Sequence, residues 1–578
     1  MMRIQQFGHD VWTLAKGYWG SEERWAAWAL VTVIIGLDLG YVYINVLLNQ
    51  ANGTVFNALQ QYDTPSFYHA FGAILVWVLI LLTAVLLRVF LLQTLQLRWR
   101  RWLTAHYLTH WLADRRFYRL RFAGRIDNPD QRIAEDIRLC IDYTLSLGLG
   151  LLATLEMLAS FSVLLWHLAG SITLPIGGLE LTIPGYMFWV AVLYSGVGSV
   201  IAHLVGHPLI RLNNLQRSVE ADFRFSLVRL REEAEGIALY GGEAQERGIA
   251  LGRFQALYDN VTRLILRNGQ YLMFQTFVGQ CANFFPLLVA APRYFSGALA
   301  LGPLTQLTHA FWQVNASLSW FITNYTAFAE WRATVDRLTE FDREMGREAP
   351  GAGAGVPRET TAQATIDFQE VGVALPDGTP LLTPVTLRLH PHETVLLKGP
   401  SGCGKSTLFR VLAGLWPFAT GRIHLPADVQ TLFLPQRPYM PIGTLRAALW
   451  FPAPPVFDRD AVARAALGAV DLSALGHRLD ETAHWTHVLS PGEQQRLAIA
   501  RALLLKPDWL FLDEATSALE EDHEAVLYGR LADALGHTTL ISIGHRRSLE
   551  AYHTRVITVH REPGQPGVLR AEPSSRAG

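Results

Sequence analysis

The sequence predicts a multidomain membrane protein: a six-span, all-α transmembrane domain followed by an α/β P-loop NTPase domain. Three observations predict it. Half of the 578 residues are hydrophobic and only 17% are charged, against roughly 25% in soluble proteins. Before residue 350, long apolar runs alternate with arginine-rich ones. After it comes Gly399-Pro400-Ser401-Gly402-Cys403-Gly404-Lys405-Ser406-Thr407, a complete G-x-x-x-x-G-K-[ST] loop. The expected division is a transmembrane domain at 1–348, a linker at 349–362, a nucleotide-binding domain at 363–560 and a flexible tail at 561–578.

Six spans are read from the apolar runs: Trp25–Leu48, Ala70–Leu92, Leu145–Leu168, Gly185–Val205, Tyr271–Ala291 and Leu304–Phe328. The sixth carries Gln306, His309, Gln313, Asn315 and Asn324. Such a stripe is costly against lipid and suits a water-filled cavity. Glu156, inside the third span, lines the solute path or pairs with a neighbouring helix. Nine arginines lie between Arg98 and Arg132, whereas Asn49–His69 carries only Asp63 and Gly170–Pro184 only Glu180. Arginine excess marks the cytoplasmic side, so both termini and the nucleotide-binding domain are expected in the cytoplasm. The first apolar stretch lacks a following small-residue cleavage pattern, so no cleaved leader is expected.

The connections Leu92–Leu145 and Gly206–Gln270 are far longer than turns and carry helical pattern. They read as spans continued into the cytoplasm, with Asp127–Arg132 supplying turn and helix-start residues at one tip. The segment Asp127–Asp136 is the expected contact with the nucleotide-binding domain, and Gly236–Glu246 a second. The glycine-rich stretch at 351–355 is the flexible centre of the linker.

In the C-terminal half, Thr394–Leu397 is a buried strand ahead of the phosphate loop, and Leu408–Leu415 a helix behind it. Glycines let backbone N–H groups turn toward phosphate oxygens, and the helix N-terminus adds its positive end. Lys405 is placed for the β- and γ-phosphates and Ser406 for Mg²⁺. Val429–Leu434 is a strand leading to Gln436, an amide placed for Mg²⁺ or the water near the γ-phosphate. Trp509–Leu512 is a buried strand ending at Asp513 and Glu514. Asp513 would hold Mg²⁺ and Glu514 would polarise or orient the attacking water. His545 follows the strand Ile541–Ile543 and could contact the γ-phosphate and the water. Ser490 and Gly492 put a hydroxyl and a bare backbone at a helix start, a second anion site. One phosphate loop already fills that need within a subunit, so a nucleotide clamped between two copies of the chain is expected.

Phosphate loop, Gln436, Leu489-Ser490-Pro491-Gly492-Glu493-Gln494, Asp513-Glu514 and His545 occur in the order of the ATP-binding cassette pattern, which this half resembles. Pro491 replaces the signature's first glycine, and Glu493 stands before Gln494. Glu520 stands where aspartate is commoner, and Leu375 near the position of the usual adenine-stacking aromatic. The membrane half resembles SbmA/BacA-like transporters fused to a cassette, which are similar to peroxisomal very-long-chain acyl-CoA half-transporters of subfamily D. The resemblance rests on Leu97–Thr104, Asp127–Asp136, Glu235–Glu243, Phe311–Val314 and Ala329–Ala333. It implies an exporter-type arrangement, a homodimer, ATP and Mg²⁺ as cofactors, and nucleotide contacts from Gly399 through Thr407 with Gln436, Ser490, Gly492, Asp513, Glu514 and His545. It also implies a bulky solute such as a peptide or cobalamin, with acyl-CoA or a lipid-like substrate as the alternative. The expected location is the bacterial inner membrane, in contact with its lipid.

A net charge of −1, from 49 basic and 50 acidic residues, gives nothing that points to nucleic acid. Cys140, Cys281 and Cys403 have neither zinc spacing nor a disulfide framework. A soluble repair or translation ATPase conflicts with the spans, and binding-protein-dependent import is disfavoured because both domains share one chain. A cassette ATPase that regulates another membrane protein remains the second functional class.

Overall fold

The computed structural model describes residues 2–123, 128–176, 179–346 and 355–572. The expected linker residues 349–354, the tail residues 573–578 and Asp127 lie outside them. The chain divides into two units: Met1–Leu108 with Asn128–Phe341, and Thr109–Asp127 with Asp342–Gly578.

The first unit is helical. A short amphipathic helix α1 (Met2–Trp19) precedes α2 (Arg24–Gln61) and α3 (Thr64–Leu112). The helix α4 (Arg116–Ala123) belongs to the second unit, and α5 (Ile137–Ala169) returns to the first. A hairpin of antiparallel strands β1 (Ser171–Ile176) and β2 (Leu179–Pro184) leads into α6 (Tyr186–Glu232). Then come α7 (Ala234–Tyr240), α8 (Glu243–Phe295), α9 (Leu301–Thr323) and α10 (Tyr325–Gly346). Among the described residues five helices are long and apolar enough to cross a membrane. They contain the first five expected spans, except that Gly185 stands one residue before α6, and outrun them. At about 1.5 Å per residue, the 53 residues of α8 are longer than any bilayer core requires.

The sixth expected span, Leu304–Phe328, is interrupted: α9 stops at Thr323 and α10 begins at Tyr325. Its polar residues also do more than line a cavity. Asn49 of α2 donates to Gln306 O, the Gln306 amide donates to Gln50 O, and Gly302 N donates to Asn57 Oδ1 at 2.8 Å. A Cβ on Gly302 would stand 2.2 Å from Gly53 O, so glycine lets α2 and α9 touch backbone to backbone. Helix α9 packs against α2, α5, α6 and α8 and buries Leu304, Leu307, Ala310, Phe311 and Val314. The polar side chains of α9 thus find partners on neighbouring helices, as polar groups between packed helices require.

Inside the first unit Asp136 is buried and accepts from Arg132 at 2.9 Å and from Arg337 at 2.9 and 2.6 Å. The described part of the expected docking segment, 128–136, is therefore tied to its own unit. The described residues before it that cluster with the second unit are 109–123.

The second unit carries two sheets. β3 (Arg358–Thr361), β4 (Ile366–Ala374), β5 (Pro380–Leu389) and β7 (Ala419–Pro426) form a four-stranded sheet in the order β3-β7-β4-β5. The larger sheet runs β14-β13-β6-β12-β11-β8. Its strands are β6 (Thr394–Lys398), β8 (Thr431–Leu434), β11 (Trp509–Asp513), β12 (Thr539–Ile543), β13 (Arg555–His560) and the antiparallel edge β14 (Val568–Glu572). A small pair, β9 (Gly443–Thr444) with β10 (Thr482–Ala483), completes the strands. Every residue of β12, and four of the five in β11, are buried, as strands covered on both faces require. Within this unit Phe122 of α4 packs edge-on against Trp416 at 5.3 Å and Phe418 at 5.6 Å between ring centres. Arg115 donates to Ala413 O beside them.

Candidate nucleotide-hydrolysis site

Sheet order explains how residues scattered from Gly399 to His545 meet. β6, β12, β11 and β8 are parallel neighbours, with Leu397 opposite Ile543, Ile543 opposite Asp513, and Leu512 opposite Leu434. Their C-terminal ends therefore line up, and each delivers one motif there. β6 leads into the phosphate loop and α11 (Lys405–Leu412), β12 into His545, β11 into Asp513 and Glu514, and β8 into Gln436. Ligands of open α/β sheets bind in this crevice beyond the strand ends.

The loop is shaped by glycine. Gly399 and Gly404 have φ of +147° and +104°, and a Cβ on Gly404 would press Leu381 and Leu382 at 3.0 and 3.1 Å. Lys405, almost wholly buried, donates from Nζ to Gly399 O at 2.8 Å and Pro400 O at 2.9 Å. Its charge thus lies within the loop, ringed by oxygens that a phosphate could replace. Ser406 Oγ donates to Asp513 Oδ1 at 2.7 Å. Burial raises the Asp513 carboxyl above the ordinary aspartate range, while the Ser406 hydrogen bond lowers it. A hydroxyl and a carboxylate side by side are the hard oxygen donors that Mg²⁺ takes. The donor set fits that ion.

Glu514 is held from both sides. Gln436 Nε2 donates to its Oε2 at 3.0 Å, and His545 Nε2 stands 2.6 Å from its Oε1. Its backbone φ is +49°, a conformation that non-glycine residues seldom adopt. The sequence thus places Gln436, Asp513, Glu514, His545, Lys405 and Ser406 in one crevice.

Ser490 and Gly492 belong to a separate feature. Ser490 caps α12 (Pro491–Leu505) in a reciprocal box: Glu493 N donates to Ser490 Oγ, and Ser490 N donates to Glu493 Oε2 at 2.8 Å. The Ser490 hydroxyl also donates to that carboxylate at 2.8 Å. The Ser490 backbone and side-chain hydrogen bonds hold the Glu493 carboxyl below the ordinary glutamate range. No hydrogen bond among the described residues joins Ser490 or Gly492 to the phosphate loop. Leu375, at the expected adenine-stacking position, packs instead against the hydrophobic core of the second unit.

Two buried polar residues of α12 escaped the sequence reading. Arg501 donates to Ala448 O at 2.6 Å and Tyr439 O at 3.1 Å, and burial lowers its pKa to about 10. Gln495 contacts the segments of Gln436, Ser517 and Ala518. The legible signal was spacing. Gln495 shares the buried face of α12 with Ala498 and Ala502, so a polar residue there needs partners.

Two family models match the chain: ABC transporter transmembrane region 2 over residues 14–295, and ABC transporter over residues 382–517. The chain is 34% identical to the inner membrane ABC transporter ATP-binding protein YddA of Escherichia coli, over 92% of this chain and 94% of that one. It is 32% identical to ABC transporter D family member 2, chloroplastic, of Arabidopsis thaliana, over 94% and 85%. It is 28% identical to the human lysosomal cobalamin transporter ABCD4, over 81% of each. A bacterial Atm1-family ABC exporter solved with ATP bound shares the fold at a TM-score of 0.72, with 18% identity over 94% of this chain and 95% of that one.

Proposed function

Because the chain belongs to the ABC half-transporters, with membrane and ATPase domains fused, we propose that it is a homodimer moving a bulky polar solute across a bacterial inner membrane. That it hydrolyses ATP to drive transport follows from the family itself. The homodimer, the six spans, the cytoplasmic placement of both termini and the solute class are our reading.

On this reading Glu514 orients and deprotonates the attacking water, steadied by Gln436 and His545. Lys405 and the loop Gly399–Thr407 neutralise the phosphates, and Ser406 and Asp513 would hold Mg²⁺, whose charge would supply further neutralisation there. Gln436, hydrogen-bonded to Glu514, would join that ion or orient the water. Ser490 and Gly492 of the other copy close over the γ-phosphate. Two features support the dimer. Among the described residues Ser490 hydrogen-bonds Glu493 and not its own phosphate loop, and α7 leaves Leu239 and Tyr240 80% and 93% exposed. Apolar tips of that kind are what a partner surface covers.

One observation carries the solute class. A cavity of about 100 Å³ between α6, α8 and α9 is lined by Ser195, Ser199, Gln275, Asn315, Ser319 and Thr323 among others. No lining side chain is ionised, and Ser195 Oγ donates to Asn315 Oδ1 at 2.7 Å. Tyr271, Phe274, Val278 and Ile322 complete the wall, so it suits an uncharged solute with both polar and apolar parts, as in a peptide or cobalamin. It offers no cation for the phosphates of an acyl-CoA. The test is ATP-driven flux of labelled cobalamin, a hydrophilic peptide and an acyl-CoA in proteoliposomes of purified protein. Flux of cobalamin or the peptide supports the reading. Flux of acyl-CoA alone replaces the solute class. ATP hydrolysis with no flux of any of the three favours a regulator of another membrane protein.

A further inference from the structure

We propose that Gln495 is a positioning residue that links the two nucleotide sites of the dimer by joining the signature helix to the residues around Glu514. The inference rests on the homodimeric reading above.

Gln495 is 3% exposed and uses both ends of its amide. Its Nε2 donates to Gln436 O at 3.0 Å and lies 3.3 Å from Ser517 Oγ. Its Oε1 accepts from Ala518 N at 2.9 Å. Gln436 O can only accept and Ala518 N can only donate, so one orientation of the amide satisfies both. The same Gln436 donates through its own side chain to Glu514 Oε2. On the other side, α12 is capped by Ser490, five residues before Gln495. Its first turn is also wedged against the Ser517–Leu519 turn. A Cβ on Gly492 would lie 3.3 Å from Leu519 Cδ2 and 3.4 Å from Ala518 O.

One buried amide therefore joins three segments: the end of β8, the turn after β11, and the helix that carries Ser490. In the dimer these serve different nucleotides. Gln436 and Glu514 act on the ATP of their own chain, and Ser490 on the ATP of the partner. When the partner's γ-phosphate draws on Ser490, the pull passes through Gln495 to the Gln436 backbone and on to the grip on Glu514. A purely structural role would have Gln495 fill hydrogen bonds without affecting how one site senses the other.

The test compares wild type, Gln495→Leu and Gln495→Glu as full-length protein in lipid nanodiscs. Hydrolysis is measured against ATP concentration from pH 6 to 8, with nucleotide binding and thermal melting alongside. In Gln495→Leu, kcat should fall about tenfold, ATP affinity should stay within about twofold, and the Hill coefficient should drop toward 1. In Gln495→Glu, the ionised carboxylate faces Gln436 O and repels it, while the protonated acid regains a donor. Its activity relative to wild type should therefore rise as pH falls, whereas that of Gln495→Leu stays flat. Wild-type kcat and cooperativity in the folded variants would overturn the proposal. So would a loss that is equal in both variants at every pH and tracks only their melting. If Gln495→Leu does not fold, the pH profile of Gln495→Glu decides alone. Absence of turnover in wild type would sink the ATPase reading itself, whereas turnover with unaffected variants sinks only this link.

Discussion

Replacing Glu514 by Gln removes a charge and nearly keeps a shape. The amide can still accept from Gln436 Nε2, but it cannot take a proton from water. Phosphate release should fall at least about 100-fold while ATP binding persists, since general-base catalysis contributes that order. Steady-state phosphate release from the purified protein measures it, and near-normal release would remove Glu514 from that role. Gln436, Asp513, Glu514 and His545 were legible as a crevice because each sits at or just after a strand end, where a short apolar run stops at a polar side chain. What spacing could not give is their pairing. Gln436 and Glu514 lie 3.0 Å apart only because β8 and β11 are sheet neighbours. Spacing could mark Gln495 as a polar residue on a buried helix face, but not its partners, Gln436 O, Ser517 Oγ and Ala518 N.

Among elements, the segments between spans were the least legible. Charge and turn residues favoured Asp127–Asp136 as a docking tip, yet Asp136 is buried between Arg132 and Arg337. Charge in a sequence does not say whether it meets water or a partner. Asp136→Asn should strip two arginines of their shared carboxylate. Both arginines are partly exposed, so the cost should lie near about 2–3 kcal/mol, below the loss for a fully buried pair. Thermal melting of the membrane domain, with ATP binding as a control, tests this; an unchanged melt would mean that the pair contributes nothing. The segment better suited to transmit motion is α4, where Phe122 meets Trp416 and Phe418. Phe122→Ala should leave nucleotide binding intact and weaken the response of the membrane helices to ATP. A normal response, read by a spectroscopic label on α2, would exclude α4 from coupling. The broken sixth span shows the complementary limit. Its polar stripe was visible, but only helix packing assigns Gln306 to α2 and Asn315 to a cavity.

At the scale of the whole molecule, two chains should share each ATP. A mixed dimer of Lys405→Ala and Ser490→Arg subunits has one site with both defects and one with neither. Isolated mixed dimers should bind ATP at the intact site, whereas each homodimeric mutant is damaged at both. Nucleotide crosslinking to a chain's own Ser490 would refute the shared site. The central claim is that ATP held at the cassettes rearranges the membrane helices. Its most direct test is the distance between the two copies of a label at Tyr62, the 93% exposed residue at the end of α2. Pulsed electron paramagnetic resonance reads that distance in nanodiscs, with Glu514→Gln protein in ADP or in ATP. Our account predicts a displaced distance distribution with ATP and its return after exchange to ADP. One unchanged distribution in both states, with ATP shown to be bound, would contradict it.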